Sequence, residues 1–533
     1  MKKFIALFLA FSLVVSGAAL SAFAADKRTD CNGDCEYYPT VIIPGLGQSN
    51  VWVLDENGEF VLDSDGNKCA AFPAYLQVSE LVKTLIGPAV KSIITQRDIG
   101  FSDAAAKAIG DAFGINSCDE YAQPSDRVYV ERYYCSLAEC TEQEKETCYH
   151  HVPLNQYETD YPEDHLYYFT YNSFGNHIDI VDELYDYIHM VMEQTGHDKV
   201  IISPLSQGGS IANGLFEYHP DIMDNLYKVL FIVPALDGST IVGDAFNDRI
   251  RFLDADVLYN GFLSTFFDDE TSSMIEVLLR ILPDEVVMTA LEKAAQVLVR
   301  DVMTTSTGMW ALCPSGDYPT AAEKYLSDRP EIKKQTDKYY QAQLNSDKNI
   351  QKLLDKGVQV FNVAEYDTQM YGVGYSYDKG NADGIIQLDS TSMGAYAANV
   401  GETLPDDYVQ KNTYCSNPEH NHISPDRVVD ASAGLLPDTT FYFKGQKHEQ
   451  TAMNAQILTL ARRLLENDNI KDVYSSPDFP QFNTVESTEA DGEPSFVVKL
   501  SDFLYEYFGT NGFSELPWIA MRNTFSGIRE IFN

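Results

Sequence analysis

The chain has 533 residues, 44% of them apolar, with 79 acidic against 38 basic side chains and a formal net charge of −41. That much apolar material can build a sizeable core, which excludes a disordered chain, and so negative a balance excludes nucleic acid as a partner. The opening stretch MKKFIALFLAFSLVVSGAALSAFA pairs Lys2-Lys3 with an apolar run from Phe4 and the small-residue site Ala22-Phe23-Ala24. This is the pattern of a secretory signal peptide, residues 1–24, cut before Ala25. No second spanning run follows, so the expected product is secreted, extracellular or at the cell surface, where an acidic surface serves solubility.

Residues 25–470 are expected to form one α/β domain, and 471–533 an extension packed on it. YYPTVII, at 37–43, reads as a first buried strand. After PGLGQSN comes VWVLDENGEFVLDSDGN, which alternates like a hairpin. LDSDGNK, at 62–68, is similar to part of a calcium loop but lacks the third acidic ligand and the terminal glutamate, and reads as a hairpin turn. Residues 80–160 are polar, with one helical patch from Leu81 to Ile94 and a cysteine-bearing insertion over 95–160.

Nine cysteines stand at 31, 35, 69, 118, 135, 140, 148, 313 and 415. The four between 118 and 148 suggest a disulfide-stapled surface insertion in an exported chain; a zinc cluster with His150 and His151 is the alternative, although no spacing there fits a zinc ribbon.

HLYYFTYNS then gives a strand, and Asn176 caps a helix that presents Val181, Leu184, Ile188 and Val191 on one face and ends at Gly196. VIIS and KVLFIVPALDGS are further strands, so the middle of the chain alternates β-α-β-α-β and implies a mostly parallel sheet flanked by helices. Residues 240–345 break that rhythm with a helix-rich stretch, apolar at Phe262, Leu263, Phe266, Phe267, Met274, Ile275, Leu278, Leu279, Ile281 and Leu282, which reads as an inserted cap or lid. The sheet resumes with GVQVFNVAEYD at 357–367. NADGIIQLDS and the aromatic run TFYFK follow, and a helix from about Thr451 to Leu465 closes the core. LPWIAMRNTFSGIREIF near the end fits a short amphipathic helix packed on its own domain.

The stretch VIISPLSQGGSIANGLF, residues 200–216, carries the chemistry. A β-branched strand runs through a glycine pair into a helical spacing, with Ser206 at the corner and Gly208 and Gly209 as the small neighbours that a sharp strand-to-helix turn requires. The first small position of the usual Gly-x-Ser-x-Gly pattern is Pro204. A serine nucleophile needs a histidine base, a carboxylate to orient it, and N–H donors for an oxyanion. His448 lies between the last aromatic strand and the closing helix. His219, His420 and His422 are the other histidines after Ser206, and the last two, near Cys415, read as polar loop residues or metal ligands. For the acid, Asp383, Asp367 and Asp389 all precede His448; Asp367 stands directly at a strand end, the simplest place for it.

Several separated stretches resemble the lecithin:cholesterol acyltransferase-like branch of the α/β-hydrolase lipases. VIIPGLGQS looks like that family's oxyanion loop after strand one. YFTYNSFGNHIDIVDELYDYI is similar to its Tyr-Asp-Trp-Arg segment, with Asn172-Ser173-Phe174 in place of the Asp-Trp-Arg tripeptide. STGMWALCPSGDYP, at 306–319, looks like part of its cap. NADGIIQLDS looks like its Gly-Asp-Gly-Thr-Val acid motif, which favours Asp383 over Asp367.

The resemblance implies an α/β-hydrolase fold and a triad of Ser206, Asp383 and His448, with the oxyanion held by the backbone N–H of Gln207 and one from the Leu46 region. It implies a carboxylic ester hydrolase needing no metal or organic cofactor; the apolar cap favours lipid acyl esters over small soluble ones, with transient lipid-surface contact through the cap. Acyl transfer to an alcohol, and a catalytically silent lipid- or glycan-binding protein on the same scaffold, are the alternatives.

Overall fold

The computed structural model describes residues 31–485 apart from 32, 34, 64, 73–77, 157–160, 252–281, 372–379, 467 and 477. The expected signal peptide, the amphipathic segment near the end, and the cap's apolar residues from Phe262 to Ile281 lie outside the described residues.

Among the described residues eleven strands occur in chain order: β1 (Thr40–Ile43), β2 (Val51–Val53), β3 (Val128–Val130), β4 (Leu166–Tyr168), β5 (Val200–Pro204), β6 (Leu226–Ile232), β7 (Gln359–Tyr366), β8 (Tyr396–Ala397), β9 (Val429–Asp430), β10 (Thr440–Lys444) and β11 (Phe482–Thr484). Seven of them form one sheet in the order β11-β10-β7-β6-β5-β1-β4, and every pairing within it is parallel. Parallel strands need crossovers that cover both faces, and the sequence supplies them. The strands read as runs of Val, Ile, Leu and Phe because both faces are buried.

One face carries the helices His177–Thr195 and Gln207–Tyr218, whose Val181, Leu184, Ile188, Ile211 and Leu215 pack with Val41, Ile43 and Val229. The other carries Ala455–Glu466, whose Ile457, Leu460 and Leu464 pack with Ile42, Leu230 and Phe441. Each such side chain contributes about 1.5–3 kcal/mol by leaving water. The helix His177–Thr195 begins where Asn176 Oδ1 accepts from the N–H of Ile178 at 3.0 Å and of Asp179 at 3.4 Å, and ends at Gly196 with φ 76°, as read from the sequence.

LDSDGNK is a turn: Asp63 Oδ1 accepts from the N–H of Asp65 and Asn67, with Gly66 at φ 89°. Three features depart from the sequence reading. The sheet continues past residue 470, because β11 adds an edge strand beside β10; three residues are too short to stand out. A helix at Phe101–Phe113, within the stretch read as a polar insertion, packs on the cap helix Asp284–Asp301. Together they place Phe101 and Phe113 in one apolar cluster with Leu282, Val286, Val287, Met309 and Trp310. The crowded cysteines also divide. Cys135 and Cys140 have sulfurs 3.7 Å apart and sit with Cys148 under the sheet, while the Cys118 thiol donates to Phe174 O, 3.2 Å away.

Candidate functional site

Ser206 occupies the corner between β5 and the helix Gln207–Tyr218 with φ 48° and ψ −116°. Such a conformation costs a residue other than glycine about 1–3 kcal/mol and persists only where its surroundings enforce it. Here the Ser206 N–H donates to Ile232 O at 3.0 Å, and its carbonyl accepts from Gly209 and Ala235, each at 2.9 Å. Close approach explains the glycine pair. A Cβ on Gly208 would lie 2.3 Å from Ile43 O, and one on Gly209 would lie 2.6 Å from Pro234 Cβ. Pro204 is the last residue of β5, where a missing N–H costs the ladder least.

Ser206 Oγ lies 2.8 Å from His448 Nε2, and His448 Nδ1 lies 2.7 Å from Asp383 Oδ2. The three residues come from separate crossovers. His448 opens a turn after β10, and its own N–H donates to Asp383 O at 2.9 Å. Asp383 reaches the end of β7 because Thr368 and Ala382 exchange two backbone hydrogen bonds of 3.1 Å, closing the intervening excursion on itself. Its second oxygen accepts from Ile385 N–H at 2.9 Å and Ile386 N–H at 2.7 Å, so the fully buried carboxylate has both oxygens satisfied. Asp367 turns away at φ 66° toward Lys444 Nζ, 3.3 Å from its carboxylate. Asp389 accepts from the Ser390 N–H instead.

The two expected oxyanion segments meet the same corner. Gln207 opens its helix, so its N–H is among the first four, which have no intrahelical acceptor. Leu46 lies in the loop after β1, where a Cβ on Gly45 would sit 3.0 Å from Ser206 Cβ. That loop is held by Gly45 N–H to Gln48 Oε1 at 2.7 Å and Gly47 N–H to Ser173 Oγ at 3.1 Å. The Gln207 side chain donates to Ser173 O at 3.0 Å and Gly308 O at 3.3 Å. Ser173 therefore buttresses the loop, and Gly308 of the STGMW stretch lies beside it.

One residue escaped the sequence reading. Glu365, fully buried in β7, accepts from Thr451 Oγ1 at 2.7 Å, and one of its oxygens falls within 4.8 Å of ligand atoms of both Asp383 and His448. Burial, with the nearby Asp383 charge, pushes its carboxyl up to about 8. For His448, burial pulls the imidazole down, but the charge and hydrogen bond of Asp383, with Glu365 and Glu449, outweigh it and raise the group to about 9. A lone acid inside an apolar strand gave the only sequence signal for Glu365.

Among the described residues three groups could converge on a metal: Cys31, Cys35, His165 and His197; Cys415, His420, His422 and Asp438; and Glu365, Asp383 and His448. In the last, His448 has both ring nitrogens engaged, with Ser206 and Asp383, which leaves it no lone pair for a cation. Neither His150 nor His151 belongs to any of them. His219 pairs with Asp182 at 2.7 Å.

No protein family's sequence profile matches the chain, and no curated protein matches it. Among solved structures, a chain in the crystal structure of the Tle4-Tli4 complex aligns with a TM-score of 0.32 and 12% identity, covering 82% of this chain and 100% of that one. A likeness at that level carries no chemistry, and the site stands on its own geometry.

Proposed function

We propose that this chain is a secreted serine hydrolase of α/β-hydrolase type that cleaves carboxylic esters, with Ser206, His448 and Asp383 as its triad. The observation that carries the reading is the continuous pair of contacts, 2.8 Å from Ser206 Oγ to His448 Nε2 and 2.7 Å from His448 Nδ1 to Asp383 Oδ2, built on a strained corner. In the reaction His448 takes the Ser206 proton as Oγ attacks the ester carbonyl. Asp383 holds the imidazole in the required tautomer and stabilises its charged form, and the N–H groups of Gln207 and Leu46 receive the developing oxyanion. His448 then protonates the leaving alcohol. Water, deprotonated by the same imidazole, releases the acid from the acyl-enzyme.

An apolar acyl chain is the favoured substrate part. Leu46, Ile385 and Ile386 of the loops that bear the site belong to the same apolar cluster as the cap's Leu282, Val287 and Trp310. On the helix Val78–Thr95, Leu85 and Ala89 face that cluster, while Ile86, Val90 and Ile94 are exposed. Their spacing of four makes one stripe, suited to a lipid surface.

A fluorophosphonate is expected to label Ser206, and Ser206→Ala to lose both labelling and ester cleavage, because only an activated serine attacks such a probe. Labelling confined to Ser203 or Ser210, or an active Ser206→Ala protein, would sink the proposal.

A further inference from the structure

We propose that Cys31, Cys35, His165 and His197 form a structural zinc site that clips together the N-terminal ends of β4, β1 and β5. The cysteine pair and the two histidines are far apart in sequence but converge. Cys31 Sγ lies 3.0 Å from Cys35 Sγ and 3.2 Å from His197 Nε2. Cys35 Sγ lies 3.1 Å from His165 Nε2 and 3.2 Å from His197 Nε2. Around a tetrahedral zinc, with Zn–S about 2.3 Å and Zn–N about 2.0 Å, ligand atoms stand about 3.3–3.8 Å apart. An outward shift of roughly a few tenths of an ångström at each ligand makes that room.

The surroundings are those of a built metal site. His165 and His197 are 2% and 6% exposed. His165 Nδ1 lies 2.7 Å from Asp164 Oδ1, which fixes the tautomer that turns the Nε2 lone pair toward the sulfurs. The Gly33 N–H donates to Cys31 Sγ at 3.3 Å, a contact that stabilises a thiolate. Gly33 has φ 79°, and a Cβ there would lie 2.3 Å from Gly196 O, so the turn between the cysteines is pressed against the residue before His197. Two thiolates and two imidazoles in this arrangement select zinc over the hard cations.

Position assigns the role. The cysteines lead into β1, His165 immediately precedes β4, and His197 lies between the helix His177–Thr195 and β5. In a parallel sheet those are the strand starts, at the edge opposite Ser206, which follows the end of β5. The site therefore acts on stability and not on the reaction.

A different observation carries a second site of the same kind, at Cys415, His420, His422 and Asp438. His422 is wholly buried, and its Nδ1 lies 2.9 Å from Gln481 Oε1, which makes that nitrogen the donor, so that in the neutral imidazole the lone pair stands on Nε2. That Nε2 makes no hydrogen bond, yet it faces Asp438 Oδ1 at 3.4 Å. A buried acceptor aimed at a carboxylate oxygen calls for a cation between the two. Asp438 Oδ1 is also 2.8 Å from His420 Nδ1, and Cys415 Sγ is 3.6 Å from the same nitrogen. Asp438 precedes β10 and Gln481 precedes β11, so the two sites brace the two flanks of the sheet along one edge.

The full chain, produced with zinc and dialysed, is expected to carry two zinc ions by elemental analysis. Cys31→Ser with Cys35→Ser should remove one, and His420→Ala with His422→Ala the other. Cobalt exchanged into the unmutated protein should show thiolate-to-metal charge transfer and the strong visible bands of tetrahedral coordination. That readout does not depend on the variants folding. Chelation should lower the melting temperature and leave kcat, measured well below it, unchanged. A Cys31–Cys35 disulfide in peptides from the unreduced protein, or zinc content indifferent to the cysteine variants, would overturn the first site. A metal count unmoved by the histidine variants would overturn the second. Fluorophosphonate labelling of Ser206 in the same samples reports on the triad separately.

Discussion

At the scale of single residues, the site is a set of buried charges whose proton inventory decides when it works. Asp383 accepts from two backbone N–H groups and from His448, which is why the proposed triad takes it as the orienting acid, while Asp367 is engaged with Lys444. Asp383→Asn should therefore lower kcat by about 10⁴, the scale on which a wrong imidazole tautomer acts, and Asp367→Asn should leave kcat near the parent value. Equal losses in steady-state assays would place the acid wrongly. The base must be neutral to act. With His448 raised to about 9, activity should climb through the alkaline range and be lost as pH falls through that value. Glu365 titrates in an overlapping range, raised to about 8, so the acid limb of the pH–rate profile belongs to the pair. Glu365→Gln removes the negative charge that holds the imidazolium. The limb should move down by about a unit and sharpen to a single proton; a profile that stays in place would assign Glu365 a packing role only. That Ser206, Asp383 and His448 would come together was legible in the sequence because each has a motif or a place after a strand. The placement of Glu365 was not, because it depends on proximity to Asp383 and His448, which two later excursions of the chain bring back to the end of β7.

At the scale of elements, the strands and the helix on either side of Ser206 were readable because β-branched runs, the Asn176 cap and the Gly196 stop all agree locally. What sequence did not reveal is how the insertions combine. The helix Phe101–Phe113 pairs with the cap helix Asp284–Asp301, and that partnership appears only when two amphipathic faces from distant segments meet. Zinc-ligand geometry was hidden for the same reason: Cys31 and Cys35 lie 130 or more residues before His165 and His197. The helix Val78–Thr95 has the clearest consequence for function. With Ile86, Val90 and Ile94 54%, 48% and 74% exposed, replacing all three by Ser should reduce sedimentation with phosphatidylcholine vesicles and slow long-chain ester turnover on them, since each removes about 1–2 kcal/mol of apolar insertion. Hydrolysis of a short soluble ester should not change. If vesicle binding survives intact, the stripe is not the contact.

At the scale of the whole molecule, a net charge of −41 sets which surfaces the chain can approach. A lipid surface bearing negative headgroups repels it across a Debye length of about 10 Å at 0.1 M salt, whereas a zwitterionic or neutral surface would leave the exposed stripe of Ile86, Val90 and Ile94 free to engage. Turnover of a long-chain ester should rise once the substrate passes into an aggregated phase, because an apolar surface is what the exposed stripe of Ile86, Val90 and Ile94 would engage. Doping that phase with an anionic lipid should then lower the rate, and added sodium chloride should restore most of the loss by screening. A short soluble ester, which needs no surface, should follow simple saturation and show neither effect. The comparison separates two causes that a single rate would merge: repulsion at the surface changes only the aggregated-substrate reaction, while any effect on the triad changes both. Rates on anionic and zwitterionic phases that coincide at low salt would mean the acidic surface faces away from the bound lipid. A short ester turned over faster than any aggregated one would move the substrate from lipids to soluble esters and leave the triad in place.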